Sequence, residues 1–176
     1  MKNSIVKDFV MPIAVLTVIC LVISGALAMT NMVTAPIIEE TSRRNAEAAR
    51  KEVLPAADTF EELTLEGAPA TVKEAFKAQN GAGYVFSMTT KGYGGNLKIV
   101  CGIDAEGKIV ATKLVEHSET QGMGSKAGLE PYKSQYVGKD ASLEGVETIT
   151  GATITSSAYQ AAIADAFTAY NMVKEG

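Results

Sequence analysis

Hydroxyl side chains are concentrated in one short stretch near the C-terminus, at residues 150–157. It reads T-G-A-T-I-T-S-S and is followed by a helical pattern of apolar residues. The start of a helix presents unpaired backbone N–H groups and the positive end of the helix dipole, and both favour a phosphate group. No complete P-loop or dinucleotide fingerprint accompanies the stretch. From the residues alone, two interpretations stay open: a turn with hydroxyl caps, or a phosphate-binding site.

Two glycine-containing loops are further candidates for ligand contact. Residues 92–95, G-Y-G-G, join two predicted strands, and residues 117–124, H-S-E-T-Q-G-M-G, follow a third. Glycine lets the backbone turn tightly or come close to a ligand, and loops on a rigid sheet often carry binding groups. The loops therefore predict binding groups near the sheet, whereas the single histidine, His117, is expected to be an ordinary loop residue.

Composition excludes several classes of function. Lys and Arg total 16 against 20 for Asp and Glu, and no long basic cluster occurs, so nucleic-acid binding has no electrostatic support. The two cysteines, Cys20 and Cys101, lie in different predicted elements, which excludes a disulfide framework. A thiolate metal site is excluded because it needs about four ligands, and a histidine-rich site because His117 is the single histidine. Redox chemistry would therefore have to come from an organic cofactor.

An apolar segment near the N-terminus predicts a membrane anchor. Residues 9–38 carry no charge, and residues 9–29 are almost wholly apolar. About 20 residues at about 1.5 Å each cross a hydrocarbon core of roughly 30 Å. The alternative is a cleaved signal peptide, because Lys2 and Lys7 precede the run and A-L-A at 26–28 resembles a cleavage site. Under either interpretation, the rest of the chain is expected to be exported.

Periodicity predicts an α+β fold, with one N-terminal transmembrane helix and a single domain in which helices flank an antiparallel sheet. The hairpin turn is expected at residues 104–107. The predicted helical segments are 39–54, a short amphipathic stretch at 71–79, a broken stretch at 125–136, and 156–173 with Ser156 or Ser157 as N-cap. The predicted strands are 84–90, 96–103, 108–116 and a short one at 146–149.

The stretch E-T-I-T-G-A-T at 147–153 resembles the flavinylation motif of membrane-bound flavoproteins, D-x-x-[ST]-G-A-T. In that motif the final threonine carries FMN through a phosphoester bond, which implies Thr153 as the attachment site here. Thr150, Gly151 and Ala152 match the motif and are expected to shape the turn. Glu147 stands where the pattern has Asp, so the carboxylate is kept one methylene further out.

The two glycine loops are similar to the G-Y-x-G and E-T-P-G-L-G segments of the FMN-binding domain. That domain occurs in the G subunit of the Rnf complex and in the C subunit of the sodium-pumping NADH:quinone reductase, and the modest length resembles the former. Gln121 and Met123 replace the pattern's Pro and Leu. Besides Thr153, the resemblance and the loop positions imply these cofactor-binding residues: Thr150, Gly151, Ala152, Thr155, Glu119, Thr120, Gly92, Tyr93 and Gly94.

The resemblance implies a membrane-anchored flavoprotein subunit with covalent FMN. It would relay electrons within an Rnf-type ferredoxin:NAD oxidoreductase coupled to ion translocation. The expected partners are the membrane and iron–sulfur subunits of that complex, a flavin transferase for maturation, and membrane lipid. Residues 1–35 would form the anchor, 36–55 a helical stalk and 56–176 the extracytoplasmic FMN-binding domain, in a single-pass protein of the cell membrane.

Three alternatives remain from the sequence. Two stay within flavin chemistry: the C subunit of a sodium-pumping quinone reductase, or a solitary extracellular flavin carrier. The third is a non-catalytic anchored assembly module whose hydroxyl-rich turn only caps a helix.

Overall fold

The computed structural model of the chain describes residues 10–175. Residues 1–9, which include Lys2 and Lys7 at the start of the predicted anchor, and residue 176 lie outside the described part. The chain divides into two compact units, Met1–Arg43 and Arg44–Gly176.

The first helix, α1 (Met11–Val53), contains the apolar segment. Its most apolar window has a mean hydropathy of 2.5, and none of that window is buried within the described chain. Threonine hydroxyls along this helix donate to the carbonyl four residues earlier, as Thr17 does to Ile13 at 2.8 Å and Thr30 does to Ala26 at 2.9 Å. These bonds satisfy the hydroxyls within the helix itself. The helix is thus long and apolar enough to cross a membrane, as predicted.

The second unit is built on one antiparallel meander of five strands. The strands are β1 (Phe60–Leu63), β2 (Val72–Ala78), β3 (Gly83–Lys91), β4 (Asn96–Asp104) and β5 (Ile109–His117), paired in chain order. The three strands predicted in succession, which are β3, β4 and β5, are confirmed. The predicted hairpin is confirmed too: Asp104 N–H donates to Lys108 O at 2.9 Å, and Gly107 takes the left-handed φ of 84° that the turn requires.

Helices cover both faces of this sheet. After β5 come a 3-10 helix (Gly124–Gly128), α2 (Glu130–Lys133), a second 3-10 helix (Ser134–Tyr136) and the long α3 (Thr153–Glu175). The apolar side of α3, with Tyr159 and Ile163, belongs to the core that contains Phe86 and Ile99 of the sheet. On the opposite face Ala49, Val53 and Leu54 join Val85 and Val100 in a second buried cluster. The predicted α+β architecture, a sheet flanked by helices, is confirmed.

Three local predictions were wrong. Residues 71–79 were expected to be helical, but they form β2, because pairing on both sides overrides the helix preference of Lys, Glu and Ala. The short strand expected at 146–149 is irregular backbone held by side chains. The last helix begins at Thr153, so Ser156 and Ser157 lie inside the helix and do not cap it. Strand β1 was not predicted, because its two adjacent glutamates break the apolar alternation.

Gly102 on β4 allows the end of α1 to pack closely on the sheet. A Cβ at this position would collide with the carbonyl group of Val53, and both residues are buried. We expect Gly102→Ala to lower the free energy of unfolding by roughly 1–3 kcal/mol, because an overpacked backbone contact must open. Urea unfolding of the detergent-solubilised chain measures the change. Gly128→Ala is the matched control, since its new Cβ meets Leu114 at an ordinary 3.5 Å. Equal stabilities of the two variants would contradict the prediction.

Candidate functional site

A cavity of about 570 Å³ opens at the N-terminal end of α3. Its volume falls in the range of small-molecule sites, roughly 300–1,000 Å³. Three chain segments form its wall: the glycine loop between β3 and β4, the loop after β5, and the first turn of α3. The lining residues are Tyr93, Glu119, Thr120, Met123, Gly124, Gly151, Ala152, Thr153, Ile154 and Thr155.

The start of α3 presents hydrogen-bond donors to this cavity. Gly151 adopts a left-handed φ of 82°, and the Ala152 N–H donates to Ile149 O at 2.9 Å to close the turn. The first helical bond runs from Ser156 N–H to Ala152 O at 3.0 Å. The N–H groups of residues 153–155 precede it and, by helix geometry, have no acceptor in an earlier turn. Together with the helix dipole they favour an anion.

The irregular segment before this turn is held by side chains. Gln135 Oε1 accepts from the Glu147 N–H at 2.9 Å, and Gln160 Nε2 donates to Val146 O at 3.2 Å. Ser156 Oγ accepts from the Ile149 N–H at 3.2 Å and donates to Ala152 O at 2.9 Å. These bonds replace the strand pairing that was predicted here and fix the approach of the chain to Thr153.

A buried tyrosine cluster supports the first turn of α3 from behind. The Tyr132 hydroxyl lies 2.8 Å from that of Tyr136 and donates to Ser156 O at 3.2 Å. The ring of Tyr159 packs edge-on against that of Tyr132, with centroids 5.6 Å apart. Burial raises the pKa of Tyr132, so its phenol stays a neutral donor. The helix start is therefore anchored in the core.

Glu119 joins the three segments of the cavity wall. Its side chain is nearly buried, with a relative exposure of 8%. Oε2 accepts from the Thr155 hydroxyl at 2.6 Å, and Oε1 accepts from the Gly94 N–H at 2.9 Å. The Glu119 N–H in turn donates to His117 Nδ1 at 3.2 Å. One carboxylate thus ties the glycine loop to the first turn of α3.

Three glycines make room for this connection. A Cβ at Gly92 or Gly124 would collide with a carboxylate oxygen of Glu119, and one at Gly94 would collide with the backbone carbonyl of Ser118. Here glycine is required by the space that Glu119 and its loop occupy. The glycine loop therefore serves as packing around the carboxylate.

The structure brings together most of the residues predicted from the sequence. Seven of them line the cavity: Tyr93, Glu119, Thr120, Gly151, Ala152, Thr153 and Thr155. Gly92 and Gly94 lie against Glu119 and do not line it. Thr150 and Glu147 are exposed, and they lie outside the cavity lining.

The predicted site residues include one side chain of the apolar part of the wall, Tyr93, but not Ile154 or Met123. Ile154 and Met123 line the cavity although 59% and 48% of their surfaces are exposed, and Tyr93 is 74% exposed. Ile154 could have been noticed as a large apolar residue among hydroxyls at a helix start. Gly124 was also missed, because only the collision with Glu119 shows its role.

The donor set fits a flavin phosphate. Free N–H groups at a helix start suit the phosphate, and exposed apolar and aromatic side chains beside them suit a planar ring. Within residues 10–175 no group of three or more His, Cys, Asp or Glu could hold a metal ion. The cavity thus combines one end suited to binding an anion with one apolar end.

Comparison with known proteins agrees with this geometry. Residues 92–168 match the FMN-binding domain, a range that contains all ten predicted site residues. The chain is 34% identical to the G subunit of the Na⁺-translocating ferredoxin:NAD⁺ oxidoreductase complex of Acetobacterium woodii, over 82% of this chain and 83% of that protein. It is 25% identical to the G subunit of the proton-translocating complex of Clostridium ljungdahlii, over 86% and 85%. It is 29% identical to the G subunit of the ion-translocating oxidoreductase complex of Methanosarcina acetivorans, over 86% and 89%.

The fold and the cavity thus define an FMN-binding electron-transfer protein with an N-terminal helix suited to membrane anchoring. The similarity to the G subunits extends over most of this chain and most of each relative, which identifies the family within this class of proteins. The chain belongs to the G-subunit family of ion-translocating ferredoxin:NAD⁺ oxidoreductase complexes.

Ser156 offers a test of how the turn before Thr153 is held. We expect Ser156→Ala to lower the free energy of unfolding by roughly 1–3 kcal/mol, because the half-buried Ile149 N–H loses its acceptor. Thermal unfolding measures the loss. Ser157→Ala is the matched control, since Ser157 is exposed and is the next residue of the same helix. If the two variants unfold at the same temperature, Ser156 does not hold the turn.

Proposed function

We propose that Thr153 Oγ carries FMN through a phosphoester bond. The observation that supports this most directly is the position of the hydroxyl. Thr153 is exposed, is the first residue of α3 and lines the cavity beside the unpaired N–H groups. A phosphate on this oxygen meets both the donors and the helix dipole.

Attachment requires an activated donor, because a hydroxyl does not condense readily with a free phosphate in water. In the balanced step the Thr153 Oγ–P bond forms, the hydroxyl proton leaves, and a phosphoanhydride P–O bond of the donor breaks. A flavin dinucleotide is a donor of this class, and a nucleoside monophosphate is its leaving group. The exposure of Thr153 and the irregular segment at 146–149 give a flavin transferase access to the hydroxyl.

The chain's own residues bind and orient the cofactor. The start of α3 holds the phosphate end, whereas Tyr93, Met123 and Ile154 offer apolar surface to the ring. Thr120 is exposed in the same wall and presents a hydroxyl for a polar edge of the ring. The bound flavin supplies the redox chemistry.

The proposed role is electron relay between partner subunits. The relatives carry the name of the G subunit of complexes that couple ferredoxin:NAD⁺ oxidoreduction to ion translocation. The cavity opens at the surface, and the exposed side chains at its rim allow a partner to come close to the cofactor. The partners proposed are the membrane and iron–sulfur subunits of the complex.

The proposed location is a cell membrane, with α1 in lipid and the second unit on the extracytoplasmic side. The apolar stretch of α1 supports the anchor. The proposed covalent attachment would suit the extracytoplasmic side, because a freely dissociating cofactor would be lost outside the cell.

Thr153 provides the direct test. Co-expression with a flavin transferase should give the wild-type chain the mass of one FMN phosphoester and a fluorescent band on a denaturing gel. Thr153→Ala should abolish both, because the acceptor oxygen is gone. Thr148→Ala, in an exposed threonine of the same segment, is the control and should be labelled fully. Retention of the flavin mass by Thr153→Ala would refute the assignment.

Sidedness is tested with a single cysteine in the exposed β4–β5 hairpin. We expect Glu106→Cys to react with a membrane-impermeant maleimide on intact cells, because residue 106 is exposed. The wild-type chain is the control. Cys101 is fully buried, which raises the pKa of its thiol, and Cys20 lies in the apolar helix. Labelling that appears only after the cells are opened would place the domain on the cytoplasmic side.

A further inference from the structure

Among the described residues that line the cavity, Glu119 is the one carboxylate. We infer that this buried charge lowers the reduction potential of the flavin bound in the cavity, in addition to positioning the loops around it. The inference rests on the proposed function, because it requires FMN on Thr153.

The geometry holds the charge in place. Each carboxylate oxygen accepts a hydrogen bond, one from the Thr155 hydroxyl at 2.6 Å and one from the Gly94 N–H at 2.9 Å. Both donors belong to segments that form the cavity wall, so the carboxylate cannot turn away without opening that wall. Glycines at 92 and 124 make room for the carboxylate in this position, since a Cβ at either one would collide with a carboxylate oxygen.

The surroundings explain how a carboxylate is tolerated at 8% exposure. Burial of an ionised group is costly unless hydrogen bonds and favourable dipoles replace its water. Here two hydrogen bonds do so, and the shorter of them comes from the first turn of α3, a helix of 23 residues whose positive end faces the site.

A fixed negative charge acts on a redox cofactor through its field. Each electron added to the flavin brings negative charge into the cavity, and a nearby carboxylate in a poorly hydrated wall opposes it. The oxidised state is therefore favoured over the reduced state. Removing the charge without moving the atoms should reverse that preference.

Glu119→Gln is the variant that separates charge from shape. The amide can accept from the Gly94 N–H through Oε1, while its Nε2 donates to the Thr155 oxygen. We expect the flavinylated variant, full length and in detergent, to favour the reduced flavin at least about tenfold more at fixed potential. That is a rise of about 30 mV for a two-electron couple in a spectroelectrochemical titration. Its thermal unfolding should stay close to that of the wild type.

Two further variants isolate the cause. Glu106→Gln removes the same charge from the exposed hairpin, at the opposite end of β4 and β5 from the loop of Glu119, and should leave the potential unchanged. Glu119→Asp keeps the charge but shortens the side chain. It should unfold at a lower temperature, yet its potential should stay nearer to that of the wild type than to that of Glu119→Gln.

The outcomes distinguish an effect of Glu119 on the flavin potential from a purely positioning role. If the reduction potential of Glu119→Gln differs from that of the wild type by less than about 15 mV, about a threefold change in the reduction equilibrium, the inference is overturned. Glu119 is then a positioning residue alone. A Glu119→Gln chain that does not fold or carries no flavin overturns it as well, because the neutral isostere retains both hydrogen bonds. A wild-type chain without the FMN mass would instead refute the proposed function, and the inference with it.

Discussion

The cavity of this protein depends on one buried carboxylate that accepts hydrogen bonds from two separate segments. Glu119 accepts one hydrogen bond from the glycine loop and one from the first turn of α3, so its side chain connects these two segments. A buried acceptor without donors is costly, so the segments that satisfy it are held at a fixed separation. Glycines at positions 92 and 124 provide the space that the carboxylate occupies.

The turn before Thr153 shows a related strategy. Its backbone groups are satisfied by the side chains of Gln135, Gln160 and Ser156, where a sheet would use a neighbouring strand. Because side chains provide these hydrogen-bond partners, the segment needs no neighbouring strand and can stay at the surface. An exposed threonine can then be accurately placed and still be accessible to another protein.

The sequence was sufficient to predict the central hairpins, the long C-terminal helix and most of the cavity wall. Those elements have local signals: β-branched alternation, a D-A-E-G turn and an apolar helical face. Strand β2 was mistaken for a helix because the residues Lys, Glu and Ala favour helices unless a sheet pairs them. The role of Glu119 as a connection between loops depends on contacts 25 and 36 residues apart in the chain, and single-sequence patterns carry no information about such contacts.

The order of the elements along the chain has a consequence for maturation. The sheet is a meander in which each strand pairs with the one before it, so it can form by successive local steps. The helix that bears Thr153 comes after all five strands and buries its apolar side on them. The Thr153 hydroxyl, the proposed acceptor, therefore reaches its final surroundings only when α3 docks. A modifying enzyme that recognises the docked turn would load only correctly folded chains.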